Sequence, residues 1–343
     1  MNTEKPHILL IYTGGTIGSF RDDRTGSLKP LPFSNIRNLL PEIDQLDIEL
    51  DHLSLQNPVD SSDMNAEVWA ELAELIEKNY AQYDGFVVLH GTDTMAYTAS
   101  ALSFMLRGLG KPVIFTGSQL PVNIIRTDGR ENLVTALEIA ALQYEGKPAV
   151  REVCIYFEYK LYRGNRAVKV SAEHFNAFDS PNFPPLGEAG VHIELNHKYL
   201  RKKTRAKLTV FKTVCAEIAV LKLFPGMNPQ VLESVLRTPN LKALVLETFG
   251  TGNASAKPEF LAILADAVSR GVIVANVTQC MSGKVEQTLY ETGRGMETAG
   301  VVGAGDMTTE AAVTKLMYLI ARFEDPATVK RWFSGNLRGE LSV

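Results

Sequence analysis

Short apolar runs bounded by turn residues alternate along the chain with longer segments of helical periodicity. Residues 8–13, 86–90, 113–116 and 153–157 are the apolar runs, each of a length that suits a strand buried on both faces. Between them, 64–80, 94–107 and 132–144 carry apolar residues at helical spacing and predict helices. Buried strands separated by helices predict a mostly parallel sheet covered on both sides, with right-handed crossovers. From 181 to 207 the rhythm breaks, with Pro184-Pro185, scattered charge and no sustained period. It then restarts, predicting strands over 217–224, 243–248 and 272–278 and helices over 229–237, 258–270, 308–322 and from Pro326. The expectation is a two-domain α/β protein. A larger, doubly wound N-terminal domain over 1–195 is followed by a linker over 196–212 and a smaller C-terminal α/β domain over 213–343. A length of 343 residues favours two cores over one.

Composition narrows the function classes. Hydrophobic residues at 45% and charged residues at 22% are ordinary globular values and exclude disordered and fibrous chains. A net charge of -4 offers no general basic face to nucleic acid. The one dense basic run, Arg201-Lys202-Lys203 with Arg205 and Lys207, has no interleaved aromatic residue and reads as a solvated linker. The apolar run over 7–12 is too short for a signal-peptide core or a membrane span. Cys154, Cys215 and Cys280 form neither a metal-spaced pair nor a disulfide framework. The expectation is a cytoplasmic protein that needs no metal and no cofactor and contacts neither nucleic acid nor membrane.

In open parallel sheets, ligands bind beyond the carboxyl ends of strands, where helix N-termini and free backbone amides gather. The polar clusters fall there. Thr13-Gly14-Gly15-Thr16-Ile17-Gly18 follows the first strand and His90-Gly91-Thr92-Asp93-Thr94 the second. Lys169 follows the 153–157 strand, and Gly250-Thr251-Gly252-Asn253 follows the 243–248 strand. The first cluster is not a dinucleotide fingerprint, because its glycines are adjacent rather than spaced G-x-G-x-x-G. In the second, Asp93 suits either a helix N-cap or a catalytic carboxylate. A threonine hydroxyl needs a base to become a nucleophile, and a lysine beside Asp93 serves as one only where desolvation or a second positive group disfavours its ammonium form. His90, at a strand end, reads as a packed histidine rather than a base, and the other five histidines make no ligand spacing.

These residues resemble a known family. T-G-G-T-I-G, H-G-T-D-T-M, D-S-S-D-M at 60–64 and L-Y-R-G-N-R ahead of Lys169 are similar to bacterial L-asparaginases. Q-C-M-S-G-K-V at 279–285 and N-L-R-G-E-L at 336–341 are similar to the cytoplasmic type I group. The resemblance implies hydrolysis of L-asparagine through a threonine acyl-enzyme, in homodimers or homotetramers. By position, Thr16 matches the nucleophile, while Thr92, Asp93 and Lys169 match a second catalytic group. Ser61 and Ser62 match the pair that holds the substrate's α-carboxylate and α-amine, with Asp93 also on the amine. The backbone at Gly15, Gly91 and Thr92 lines the pocket, and Asn253 matches a residue that reaches in from a neighbouring protomer. One departure stands out. The family carries a tyrosine on the loop after the first motif, whereas residues 19–32 hold none and Ser27 occupies the matching place.

Overall fold

The computed structural model describes residues 5–21, 28–30, 40–202, 206–289 and 291–342. Two compact units make up the chain, Met1–Lys212 and Thr213–Val343.

The first unit is built on an eight-stranded sheet. Its strands are β1 (His7–Tyr12), β2 (Glu49–Ser54), β3 (Gly85–Leu89), β4 (Val113–Thr116), β5 (Val153–Phe157), β6 (Lys160–Arg163), β7 (Gly187–Ala189) and β8 (Ile193–Leu195). Across the sheet the order is β8-β7-β6-β5-β4-β3-β1-β2. β2, β1, β3, β4 and β5 run parallel, and β6 to β8 extend the sheet antiparallel. Ile8, Leu9, Leu10 and Ile11 have no exposure, so both faces of β1 are covered, and this is why its sequence is an unbroken apolar run. Each such side chain contributes about 1.5–3 kcal/mol of burial.

Among the described residues, the α-helices of this unit are α1 (Ala66–Asn79), α2 (Met95–Met105) and α3 (Gly129–Ala141). Asn65 caps α1 by accepting from the amides of Glu67 and Val68. α2 is buried on nearly every side, so its sequence is apolar around the whole circumference. It stops at Met105, short of the expected 107, because Leu106–Arg107 pairs in strand geometry with Thr209–Val210. That pairing also builds part of the 196–212 segment, expected as linker, into the first unit.

Hydrophobic patterning did not mark β2, whose residues are largely exposed on the sheet edge, nor β6. The rhythm break over 181–207 contains β7 and β8.

The second unit carries a four-stranded parallel sheet of β9 (Ile218–Lys222), β10 (Ala243–Thr248), β11 (Ile273–Thr278) and β12 (Val302–Gly303), in that order. Its helices are α4 (Pro229–Leu236), α5 (Pro258–Ser269), α6 (Glu291–Thr298), α7 (Thr309–Ile320) and α8 (Pro326–Phe333). Lys315 on α7 and Glu340 form an ion pair of 2.6 Å with no exposure on either side chain. The Lys315 ammonium also donates to the carbonyls of Phe333 (2.7 Å) and Gly335 (2.5 Å). Glu340 accepts from the amides of Leu337 and Arg338, which closes the C-terminal turn on itself. Among the described residues, no helix is long and apolar enough to cross a membrane.

Candidate active site

In the parallel part of the first sheet, the order β2-β1-β3-β4-β5 reverses direction between β1 and β3. After β1 the chain moves to one side, and after β2 it returns to the other. Such a switch point leaves a crevice at the carboxyl ends of the two strands. The T-G-G-T-I-G and H-G-T-D-T segments leave β1 and β3 at that place.

Backbone contact joins the two loops. The Thr13 amide and hydroxyl both donate to the Leu89 carbonyl, at 3.0 and 2.8 Å. Gly15 has φ +91°, and a Cβ there would collide with the Gly91 amide nitrogen. Gly91 in turn lies so close to Ser61 that a Cβ would meet the serine hydroxyl at 2.5 Å. Only glycine fits both places. Thr16 therefore begins its short helical turn, Thr16–Gly18, directly beside the Gly91–Thr92 loop. The turn is fixed from below by the buried Ile17 and by the Tyr12 hydroxyl, which donates to the Gly18 carbonyl at 3.0 Å. Thr16 itself is half-buried.

Lys169 sits on a two-residue strand, Val168–Lys169, paired with Phe178–Asp179. It is reached from β5 through the antiparallel strand β6 rather than directly. Its ammonium donates to the Thr92 hydroxyl at 2.8 Å and to Asp93 Oδ1 at 2.6 Å. The lysine side chain is 16% exposed and the aspartate 65%, so the cation is sheltered and the carboxylate faces the opening. Asp93 does not cap α2. The capping position belongs to Thr94, whose hydroxyl donates instead to the Ser61 carbonyl at 2.6 Å.

Three further residues support the crevice and were not singled out from sequence. The Thr92 hydroxyl donates to Gln119 Oε1 at 3.0 Å, and Gln119 Nε2 donates to the His174 carbonyl at 3.1 Å. The amides of Gln119 and Leu120 both donate to the Asp128 carboxylate. Burial pushes the Asp128 carboxyl up, and those amide bonds oppose the shift. Asp60 accepts from the amide and hydroxyl of Ser62, at 2.9 and 2.6 Å, and these bonds hold its carboxyl below the ordinary range. Gln119 follows β4 as Thr92 follows β3, so its position beyond a buried strand was the available signal.

His90 is fully buried, and burial lowers its pKa from 6.5 to about 4. Nδ1 is 2.7 Å from the Gly91 carbonyl and must donate to it. Nε2 is then bare and accepts from the Thr98 hydroxyl at 2.9 Å, while Thr98 accepts from Trp69 Nε1 at 3.0 Å. With both ring nitrogens committed inward, His90 is a neutral support for the Gly91–Thr92 turn. Asn253 belongs to the second unit. There its backbone pairs with Phe249 in both directions, at 2.9 and 2.8 Å, and Gly252 beside it accepts from the buried Asn276. Ser27 lies outside the described residues. Among those described, no group of three or more His, Cys, Asp or Glu is placed to hold a metal ion.

Comparison with known proteins finds relatives of the whole chain. The family model described as asparaginase, N-terminal, matches residues 7–201, and the glutaminase/asparaginase C-terminal domain model matches 217–333. L-asparaginase 1 of Escherichia coli K12 is 45% identical over 340 residues, covering 99% of both chains. The crystal structure of L-asparaginase I from Vibrio cholerae superposes with a TM-score of 0.90 at 42% identity, covering 99% of this chain and 100% of that one. The thermostable L-asparaginase from Thermococcus kodakarensis also gives 0.90, at 32% identity and 98% and 99% coverage.

Proposed function

Because the chain belongs to the asparaginase family, we propose that it hydrolyses L-asparagine to L-aspartate and ammonia through an acyl-enzyme on Thr16. The observation that carries the residue assignment is the Lys169 ammonium bridging the Thr92 hydroxyl and Asp93 at 2.8 and 2.6 Å, in the crevice that Thr16 borders.

In this reading the Thr16 oxygen attacks the side-chain amide carbon, and the C–N bond breaks as ammonia departs with the hydroxyl proton. Water held by Thr92, Lys169 and Asp93 then cleaves the ester, returning the proton to Thr16 and releasing aspartate. Backbone amides around Gly15, Gly91 and Thr92 stabilise the oxyanion, each worth about 3 kcal/mol in comparable sites. Ser61 and Ser62 hold the α-carboxylate and α-amine, with Asp93 on the amine. Ser62 is already oriented by Asp60, whose carboxylate adds negative charge beside the position of the amine.

The same reading places the protein in the cytoplasm as a homodimer or homotetramer, with a neighbouring protomer's Asn253 completing each site. Sedimentation velocity tests the assembly, and a monomer with full turnover would refute that arrangement.

A coupled ammonia assay with asparagine tests the function. Thr16→Ala and Thr92→Val are each expected to lose several orders of magnitude in kcat. If both kept near-normal turnover, the assignment would be wrong. A parallel assay with glutamine measures the side activity, since one methylene is worth only about 1–3 kcal/mol in a pocket.

A further inference from the structure

Lys207 joins Lys147 and Arg151 around a cavity of about 510 Å³, whose wall also includes Tyr80, Gly108 and Gly110. Gly108 and Gly110 precede β4 and Arg151 precedes β5, so the cavity lies at the amino ends of the parallel strands. The Thr92 crevice lies at their carboxyl ends, and the two places are separated by the length of the strands.

The wall is built rather than frayed. Tyr80 accepts the Gly110 amide on its hydroxyl at 2.7 Å, and the Lys111 ammonium donates to the Tyr80 and Tyr83 carbonyls at 2.6 and 2.5 Å. Gly108, at φ +77°, admits the Lys207 carbonyl so closely that a Cβ would meet it at 2.5 Å. Lys147 is held in the hairpin Gln143–Tyr144 with Lys147–Pro148, and the Ala149 amide closes onto the Leu142 carbonyl at 2.8 Å.

The cations at this cavity, Lys147 and Lys207 exposed and Arg151 half-buried, have no carboxylate beside them in its wall. Among the described residues, none of the three forms an ion pair. Elsewhere in this acidic chain, cations such as Lys5, Lys78, Arg130 and Lys212 stand on carboxylates. Glu152, the neighbour of Arg151 in sequence, is turned inward. Its oxygens take the Arg163 guanidinium at 2.6 Å and the Arg201 amide at 2.8 Å. Three like charges around one concavity repel one another, focus a positive potential and favour a multiply charged anion over a monovalent one. Two lysines acting as point charges and one planar guanidinium suit phosphate oxygens.

We propose that this cavity binds a small oligophosphate, either free or as the phosphate chain of a nucleotide.

Titration calorimetry on the full-length protein with sodium triphosphate and with ATP tests this. Saturable binding of one triphosphate per chain is expected at about 50 mM salt, weakening as salt rises to about 200 mM. Replacing three cations together (K147Q/R151Q/K207Q) is expected to weaken it at least about tenfold. That variant should keep asparagine turnover, since none of the three touches the Thr92 crevice, and its turnover also reports that it is folded. Equal affinity for triphosphate and ATP assigns the site to the phosphate chain alone. No saturable triphosphate binding, unchanged binding in the triple variant, or binding of ATP without triphosphate would each overturn the proposal.

Discussion

His90 lends itself to a quantitative test of how the site is supported. Folded, the imidazole is buried and neutral and takes its proton only near pH 4, whereas an exposed histidine takes it near 6.5. Between these values the unfolded chain binds more protons than the folded one, so acid favours unfolding. The contribution is therefore complete above pH 6.5 and disappears as the pH falls toward 4. A shift from 6.5 to about 4 corresponds to about 3 kcal/mol in total, of which about 2 kcal/mol is lost by pH 5. Asp60 and Glu340, both held low, also destabilise the fold as they protonate. They do so equally in a His90→Gln variant, and the comparison removes them. At pH 8 the variant is less stable by a fixed amount, from lost packing and lost bonds to Gly91 and Thr98. Urea unfolding at one protein concentration, from pH 8 to 5, should show that gap shrinking by about 2 kcal/mol, because only the wild type pays for protonation. A gap constant across the range would mean that His90 is solvated, and would overturn both the neutral tautomer and its supporting role.

Two further outcomes follow from the geometry. Gly15→Ala places a Cβ against the Gly91 amide at a positive φ, costing about 1–3 kcal/mol of strain, and pushes Thr16 from Thr92. A displacement of about 1 Å costs roughly a hundredfold in rate, so kcat for asparagine should fall well beyond the change in unfolding midpoint; a stability loss with unchanged kcat would refute the coupling of the loops. Lys315→Met leaves the Glu340 carboxylate buried and unpaired and should destabilise the second unit by about 3–5 kcal/mol. Adding Glu340→Gln keeps acceptors for Leu337 and Arg338 while removing the lone charge, and should recover most of that loss in a chemical denaturation series.

The fold was legible where burial imposed a period. β4 and β5 coincide with their apolar runs, because strands covered on both faces leave no polar position to blur the ends. β2 was not legible, since an exposed edge strand such as E-L-D-H-L-S carries no buried face to record. Nor were β7 and β8, an edge hairpin of three residues a strand, too short and too exposed to record a period. In the crevice, Thr92 and Asp93 could be anticipated because they follow β3, whereas Lys169 was indicated by the family resemblance, since β6 ends at Arg163 beside Cys154, at the opposite end of the sheet. Gln119 and Asp60 could not, because a polar loop residue looks the same whether it orients a hydroxyl or faces solvent. The Lys315–Glu340 pair escaped for a related reason: a lysine at helical spacing reads as surface until the tail folds over it.

The contact of Gly15 with Gly91 makes the sheet itself the ruler for the two threonines. Hydrogen-bonded neighbours in a sheet stand about 4.8 Å apart, and at Gly15 and Gly91 the two backbones approach with no Cβ between them. Heating or cosolvent should therefore loosen the rim around Ser62 and Asp60 while the interval between Thr16 and Thr92 holds until β1 and β3 part. Substrate preference can drift through such a rim, by mutation or by selection, without recalibrating the chemistry underneath.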